Sequence, residues 1–302
     1  MNEEIIRVED DESGIRIDKY LGDIYTDISR SRFQKLILEG YILVNGLKVK
    51  NKYQVQPGDE IIILESSSNE VDIVAEDIPL DILYEDDDII VVNKPKNMVV
   101  HPAPGHYTGT LVNALMFHCK DSLSGINGEI RPGIVHRIDM NTTGSLIVCK
   151  NDFAHNSIAL QIKEHSVNRI YEGIVKGNVK SDKGTIEGPI GRNPKDRMKM
   201  AINHEHGKPA ITHYEVINRY NGYTHCRFKL ETGRTHQIRV HMSSIGHPLL
   251  NDDLYGGQST FKHLQGQCLH AKTIGFIHPR SKEYIEVEAP LPAYFLNLLN
   301  IL

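Results

Sequence analysis

Two polar segments hold most of the residues able to do chemistry. The first, Arg131-Pro132-Gly133-Ile134-Val135-His136-Arg137-Ile138-Asp139-Met140-Asn141-Thr142-Thr143-Gly144, is turn-rich and runs directly into the apolar stretch Ser145–Cys149. A loop anchored by a buried strand presents its side chains to ligands on a rigid base. Asp139 is the carboxylate of this loop. Such a group can serve as nucleophile, proton acceptor or electrostatic stabiliser, or it can merely cap a turn, and the residues alone leave both open. The second segment, Leu230-Glu231-Thr232-Gly233-Arg234-Thr235-His236-Gln237-Ile238-Arg239-Val240-His241, sets Arg234 between the end of an apolar run and the start of a helical pattern. A guanidinium there can pair with a carboxylate or a phosphate.

Other chemistries lack their residue patterns. There is no GxGxxG after an apolar run and no GxxxxGK[ST], HExxH or GxSxG, so nothing points to a nucleotide or flavin. Sixteen histidines invite a metal, above all at His204-Glu205-His206 and at His236 with His241. Neighbouring charged residues in a loop rarely converge, however, and helix positions five apart diverge by roughly 140°. We expect neither metal nor cofactor.

The elements that must hold these segments can be read from periodicity. Asp88-Ile89-Ile90-Val91-Val92-Asn93-Lys94-Pro95 is a short buried strand stopped by proline, and Thr110–His118 is a helix with Leu111, Ala114 and Leu115 together. Gly144–Cys149, Tyr171–Lys176, Thr212–Asn218 and His225–Leu230 read as strands. Phe153–Glu164 and His236–Ile245 read as helices, the latter with Gly246 as its stop. Strands and helices mixed in this way predict an α+β domain with a largely antiparallel, mixed sheet.

The polar stretch Glu65-Ser66-Ser67-Ser68-Asn69-Glu70 reads as a linker, dividing the chain into a module over 1–66 and a domain over 67–302. Within the module, Ile17, Leu21 and Ile24 sit at helical spacing. Ser29 can cap a second helix over Arg30–Glu39 that Gly40 ends. Tyr41–Val44, the turn signals Asn45-Gly46 and Pro57-Gly58-Asp59, and the strand Ile61–Leu64 complete a small α/β unit. Arg30, Arg32 and Lys35 can fan across one exposed side of the second helix.

Net charge is −5 over 302 residues, but it is unevenly placed. Residues 1–13, an acidic leader, carry −5, and residues 65–88 carry ten acids and no base, whereas 14–64 is net +2 and 89–302 net +8. Basic regions lie behind acidic ones, so the overall charge hides a surface able to attract phosphate. Cys119, Cys149, Cys226 and Cys268 are widely spaced, which suggests buried free thiols. No apolar run approaches the ~20 residues of a membrane helix and the acidic start is unlike a secretory signal, so a cytoplasmic chain is expected.

Arg16-Ile17-Asp18-Lys19-Tyr20-Leu21, Ser29-Arg30-Ser31-Arg32, Gly40-Tyr41-Ile42-Leu43-Val44-Asn45-Gly46 and Pro57-Gly58-Asp59 closely resemble the S4 RNA-binding domain over about 14–64. That resemblance implies binding of structured RNA. Gly133-Ile134-Val135-His136-Arg137-Ile138-Asp139 and Gly233-Arg234-Thr235-His236-Gln237-Ile238-Arg239-Val240-His241 resemble the signature motifs of the pseudouridine synthase family that modifies large-subunit ribosomal RNA and some transfer RNAs. Asn93-Lys94-Pro95, Val100-His101-Pro102, Gly109–Leu115, Arg169-Ile170-Tyr171, Gly191-Arg192 and Asp252 with Tyr255-Gly256 match as well. Lys96-Asn97, Arg169 and Asn251 depart from the family's commoner residues.

The resemblance implies the pseudouridine synthase fold and isomerisation of uridine without a cofactor. It implies Asp139 as the catalytic carboxylate, Arg234 as its charge partner and Tyr171 as the aromatic that stacks on the base and assists proton transfer. Arg137 would fill the space left by the displaced base, or contact a phosphate. His136, Arg192 and His236 would line the RNA path, with Arg30, Arg32 and Lys35 on the module. The implied partner is structured RNA, a 23S-type ribosomal RNA or pre-ribosomal particle, with no membrane and no nucleotide cofactor. Two other classes remain beside it: a non-catalytic RNA-binding assembly factor, which intact Asp139, Tyr171 and Arg234 oppose, and a hydrolase, which would want a second carboxylate or a metal.

Overall fold

The computed structural model describes residues 3–302 except 10–11, 26–29, 65–72, 104, 121, 127–130, 197, 258–260 and 262. It divides into two units, Met1–Glu70 and Val71–Leu302. The stretch expected to link them lies outside the described residues.

The first unit contains β1 (Glu3–Arg7), α1 (Ile17–Ile24), α2 (Arg30–Glu39), β2 (Ile42–Val44), β3 (Leu47–Lys48) and β4 (Glu60–Leu64). Its antiparallel sheet runs β1-β4-β2-β3. The acidic leader is therefore not all leader: Glu3–Arg7 pairs along β4, Ile5 opposite Ile62, because its two isoleucines outweigh the charges around them. Asn45 and Gly46 have φ of 53° and 75°, as a two-residue hairpin turn demands. Gly40, at φ 86°, ends α2, with the Tyr41 amide reaching back to the Leu36 carbonyl. Ile17, Leu21, Phe33, Ile37, Ile42 and Ile61 make the core. The expected cap Ser29 and the side chains of Arg32 and Lys35 lie outside the described residues.

Arg30, expected among the RNA contacts, is half-exposed and has a structural partner. Its Nε donates to Asp18 at 2.9 Å, and Arg16 and Gln34 donate to the same carboxylate. Asp18 is fully buried, so these donors tie α1 to α2 and stabilise the fold.

The second unit contains β5 (Ile82–Glu85), β6 (Ile89–Lys94), α3 (Leu111–Cys119), β7 (Thr143–Cys149), α4 (Asp152–Lys163), β8 (Asn168–Lys176), β9 (Lys183–Glu187), β10 (Ile190–Arg192), β11 (Met200–Ile202), β12 (Ile211–Tyr220), β13 (Tyr223–Leu230), α5 (Gln237–Ser244), β14 (Leu269–Ile277), β15 (Tyr284–Glu288) and α6 (Ala293–Ile301). One nine-stranded sheet runs β5-β6-β7-β14-β8-β13-β12-β9, with β15 beside β14. Every pair is antiparallel except β7 with β14. This is the α+β architecture expected, with more strands than the periodicity disclosed.

Both faces of the sheet are covered, as strand alternation requires. Ile90, Val92, Leu146 and Val148 pack with Leu111, Leu115 and Met242 on one face. Their neighbours Ile89, Val91, Ile147 and Cys149 pack with Ala154, Ile158 and Phe276 on the other. Thr110 caps α3 by accepting from the Asn113 amide. All four cysteines are buried free thiols.

Candidate active site

Asp139 lies at the end of the loop before β7, and three contacts fix that loop. The His136 Nε2 accepts from the Ile147 amide at 2.9 Å, the Thr142 amide donates to the Asp139 carbonyl at 3.0 Å, and the Lys94 amine donates to the Met140 carbonyl at 3.0 Å. Lys94 is wholly buried and also donates to the carbonyls of Pro95 and Met98. Burial pushes its pKa down to about 7 while the Asp139 charge opposes. Where the loop becomes β7, Gly144 has φ of 108°, and a Cβ there would meet the Ala271 carbonyl at 2.2 Å. Only glycine lets the chain turn into the strand and approach β14 so closely.

His136, expected from sequence along the RNA path, thus tethers the loop to β7 through Nε2 and also lines the groove beside the pocket. Burial pushes its pKa down to about 3 with Arg169 adding to the effect, so the ring stays neutral and its free lone pair suits the Ile147 amide.

The guanidinium that meets Asp139 belongs to Arg239, and here the sequence expectation of Arg234 is corrected. Arg239 Nη1 donates to Asp139 Oδ2 at 3.0 Å, while its Nε and Nη2 grip Asp252 at 2.7 and 2.9 Å. Asp252 is fully buried and Arg239 is 8% exposed, whereas the Asp139 side chain keeps 25% exposure. Burial pulls the Arg239 pKa down, and the two carboxylates more than reverse it. Arg239 projects from the first turn of α5, two residues after Gln237, whose side chain pins the preceding loop to Ile211, Thr212 and the Arg234 amide. Arg234 itself points its Nε at the Pro209 carbonyl, 3.0 Å away. It lines the same pocket as Asp139 without pairing to it.

That pocket gathers Arg137, Asp139, Tyr171, Arg234, His236 and Arg239, so five of the expected site residues do come together. Tyr171, on β8, is 8% exposed, and burial raises its phenol pKa, with Arg169 opposing and Asp139 adding. It remains a protonated donor at neutral pH. Arg137 is exposed at the rim, its Nη2 3.4 Å from the Thr235 hydroxyl. Arg192 is exposed on the β10–β11 hairpin and does not line the pocket.

His236 sits in the left-handed region at φ 58°, just ahead of α5. Its Nδ1 is 2.8 Å from the Tyr255 hydroxyl, which already accepts from the Met200 amide at 2.8 Å. The His236 Nε2 lies 3.9 Å from Asp139 Oδ1. Burial lowers the His236 pKa, so the ring is neutral. His241, the residue paired with it in the metal reading, is instead buried against Thr212 and the Gly188 carbonyl. Arg239, Asp252 and Tyr255 were not singled out as site residues from sequence. All three lie among the residues that carry the resemblance, Arg239 in the second motif and Asp252 and Tyr255 beside it, and that was the available signal.

A half-open carboxylate held on one edge by a doubly clamped arginine, with a buried phenol beside it, can stabilise or attack an electrophilic carbon next to an aromatic ring. The family model of RNA pseudouridylate synthases matches residues 88–244, and that of the S4 domain matches 15–61. A Bacillus subtilis protein named uncharacterized RNA pseudouridine synthase YlyB is 50% identical over 300 residues, covering 99% of this chain and 98% of the relative. Ribosomal large subunit pseudouridine synthase D of Pseudomonas aeruginosa is 42% identical over 301 residues, 96% of this chain and 92% of the relative. The solved structure of human RNA pseudouridylate synthase domain containing 1 superposes with a TM-score of 0.57 at 27% identity, covering 74% of this chain and 86% of that one.

Proposed function

The chain belongs to the RNA pseudouridylate synthase family, and on that premise we propose that it isomerises uridines of large-subunit ribosomal RNA in the cytoplasm, using Asp139 and no cofactor. The observation that carries this reading is the Asp139 carboxylate, anchored on one oxygen by Arg239 and open to the pocket on its other side.

The reaction breaks N1–C1′, turns the base and joins C5 to C1′. C5 then loses its proton and N1 gains one, so atoms balance within one nucleotide. No electron or group donor is needed. Asp139 acts at the sugar carbon as nucleophile or as stabiliser of its developing positive charge. Arg239 aims the carboxylate, and Asp252 holds Arg239 so that the guanidinium is not free to follow the RNA phosphates. Tyr171 stacks on the detached base and has a phenol to pass a proton. Reaching this pocket means leaving the RNA stack, at a cost of a few kcal/mol, and Arg137 at the rim fills the vacated space.

The test is tritium release from C5-labelled uridine in transcribed large-subunit ribosomal RNA, alongside RNA binding. Asp139→Asn is expected to lose release by more than about 10⁴-fold with binding and folding intact. Substantial release by the folded variant would remove Asp139 from the chemistry. Binding without release by the wild type on any RNA would favour the assembly factor.

A further inference from the structure

Beside the Asp139 pocket runs a second groove, of about 460 Å³, and the two share Arg137, Tyr171, Leu230 and Arg234. The groove adds His136, Lys163, His165 and Arg169, and among the described residues no carboxylate lines it. Glu231 is close in sequence, but its carboxylate is engaged by His213 at 2.6 Å.

Arg169 is the unusual member. It is 6% exposed, yet its guanidinium makes one hydrogen bond, from Nη2 to the Glu231 carbonyl at 3.3 Å. Its Nε is buried and meets no acceptor among the described residues, and no acidic side chain pairs with it. A buried cation without a counter-charge is costly to a fold, by several kcal/mol where it is fully enclosed. Arg239 shows the contrast with its two carboxylates. Room for the Arg169 guanidinium is made by Gly233, where a Cβ would sit 2.5 Å from Nη1. Lys163, in the last turn of α4, and His165 just beyond it are exposed and have no partner among the described residues. Lys163 does complement the α4 dipole, but that does not account for an unpaired arginine buried across from it.

We propose that this groove is a phosphate subsite, in which Arg169 and Lys163 bind the phosphodiester adjoining the uridine held at Asp139. The missing counter-charge is then supplied by the RNA, whose phosphate is the anion that a guanidinium matches best. Because the groove and the Asp139 pocket share a wall, a phosphate seated here fixes where along the strand the base is taken. This rests on the proposed action on RNA.

The experiment measures affinity for a short RNA substrate between 50 and 300 mM salt, with kcat and KM from tritium release. Lys163→Gln is on the surface and removes one charge. It should reduce the slope of log K against log salt by about 0.7 to 0.9 and raise KM while leaving kcat near wild type. Arg169→Gln should do the same more strongly. A methylphosphonate at the linkage flanking the target uridine should weaken wild-type binding about 5-fold and leave Arg169→Gln binding unchanged, because both remove the same contact. Unchanged slopes in Lys163→Gln, or equal loss from the methylphosphonate in wild type and Arg169→Gln, would overturn the subsite while leaving pseudouridine formation untouched. Reduced slopes in a protein that modifies no RNA would keep the subsite and remove the enzyme reading. If Arg169→Gln does not fold, Lys163→Gln and Arg169→Lys, which keeps the charge and should keep the slope, decide the matter.

Discussion

Each unit of the molecule sets an aspartate against arginine, and the two pairs do different work. In the first unit Asp18 is fully buried and its oxygens receive donors from Arg16, Arg30 and Gln34. Burial pushes its pKa up, but those hydrogen bonds prevail and hold it at about 2. In the second unit Asp139 receives one guanidinium nitrogen and keeps a quarter of its side chain in the open. A carboxylate whose lone pairs are all satisfied stabilises a fold and has nothing left for a ligand. One left partly unsatisfied, on a loop that other residues hold still, costs stability and is ready to react. In the second unit the saturated role is passed to Asp252, which is buried and bonds Arg239 through both oxygens.

The widest separation of the two aspartates comes from replacing each. Asp139→Asn should abolish turnover with less than about 1 kcal/mol of stability lost, whereas Asp18→Ala should cost about 2 kcal/mol and leave turnover on short RNA near wild type. The loss at Asp18 is moderate because Arg16 and Arg30, about half exposed, can rehydrate. Chemical denaturation and tritium release on the same preparations check both. Equal stability losses would erase the distinction.

Next in size is Asp252→Asn. With one edge of its clamp neutral, Arg239 is less well aimed, and kcat should fall about 100-fold with KM little changed. A rise in KM at constant kcat would mean that Asp252 serves RNA binding rather than the carboxylate.

Acid should separate the units as well, because the first contains no histidine at all. In the second unit burial pushes both His101 and His270 down to about 4, with nearby arginines adding to the effect on His101. A folded pKa below the unfolded value of about 6.5 contributes stability that is full above 6.5 and is lost as pH falls toward 4. At pH 4.5 each such histidine should cost the second unit on the order of 2 kcal/mol. The first unit depends on Asp18 and Asp59, both held below the ordinary carboxylate value, so its stability should persist until pH drops below about 3.8. Hydrogen exchange at pH 7 and 4.5 reads both units in one sample. Uniform loss of protection across them would contradict this.

The smallest effect should come from Tyr255→Phe, which removes the hydroxyl bonded to His236 Nδ1. Nothing then fixes which ring nitrogen presents its proton to Asp139, and turnover should fall about 10-fold at pH 7 with recovery below the His236 pKa, where both ring nitrogens carry protons. An unchanged pH profile would reduce Tyr255 to packing.

Much of this protein was legible in its sequence. Turn residues with one permissible geometry, Asn45-Gly46 and Gly40, marked the hairpin and the end of α2, because their conformations are set within a few residues. Strong local periodicity likewise marked α3, α4, β6 and β7, and two long polar motifs identified the loops that meet at the site. What tertiary structure decided are partnerships across distance. Strand β14, central in the sheet, passed unread because His270, Lys272 and Thr273 break its apolar run, and each finds its partner only on another element. Which arginine meets Asp139 turned on the first turn of α5: the left-handed His236 and the Gln237 pins send Arg239 inward, while Arg234, three residues before Gln237, is spent on the Pro209 carbonyl. The tethering role of His136 could not be read in sequence, because the Ile147 amide that it accepts from is brought to it only when the loop folds back on β7. Sequence carries residue type and local conformation, whereas the choice among several equally suitable donors is made by packing, which acts between residues as far apart as Asp139 and Arg239.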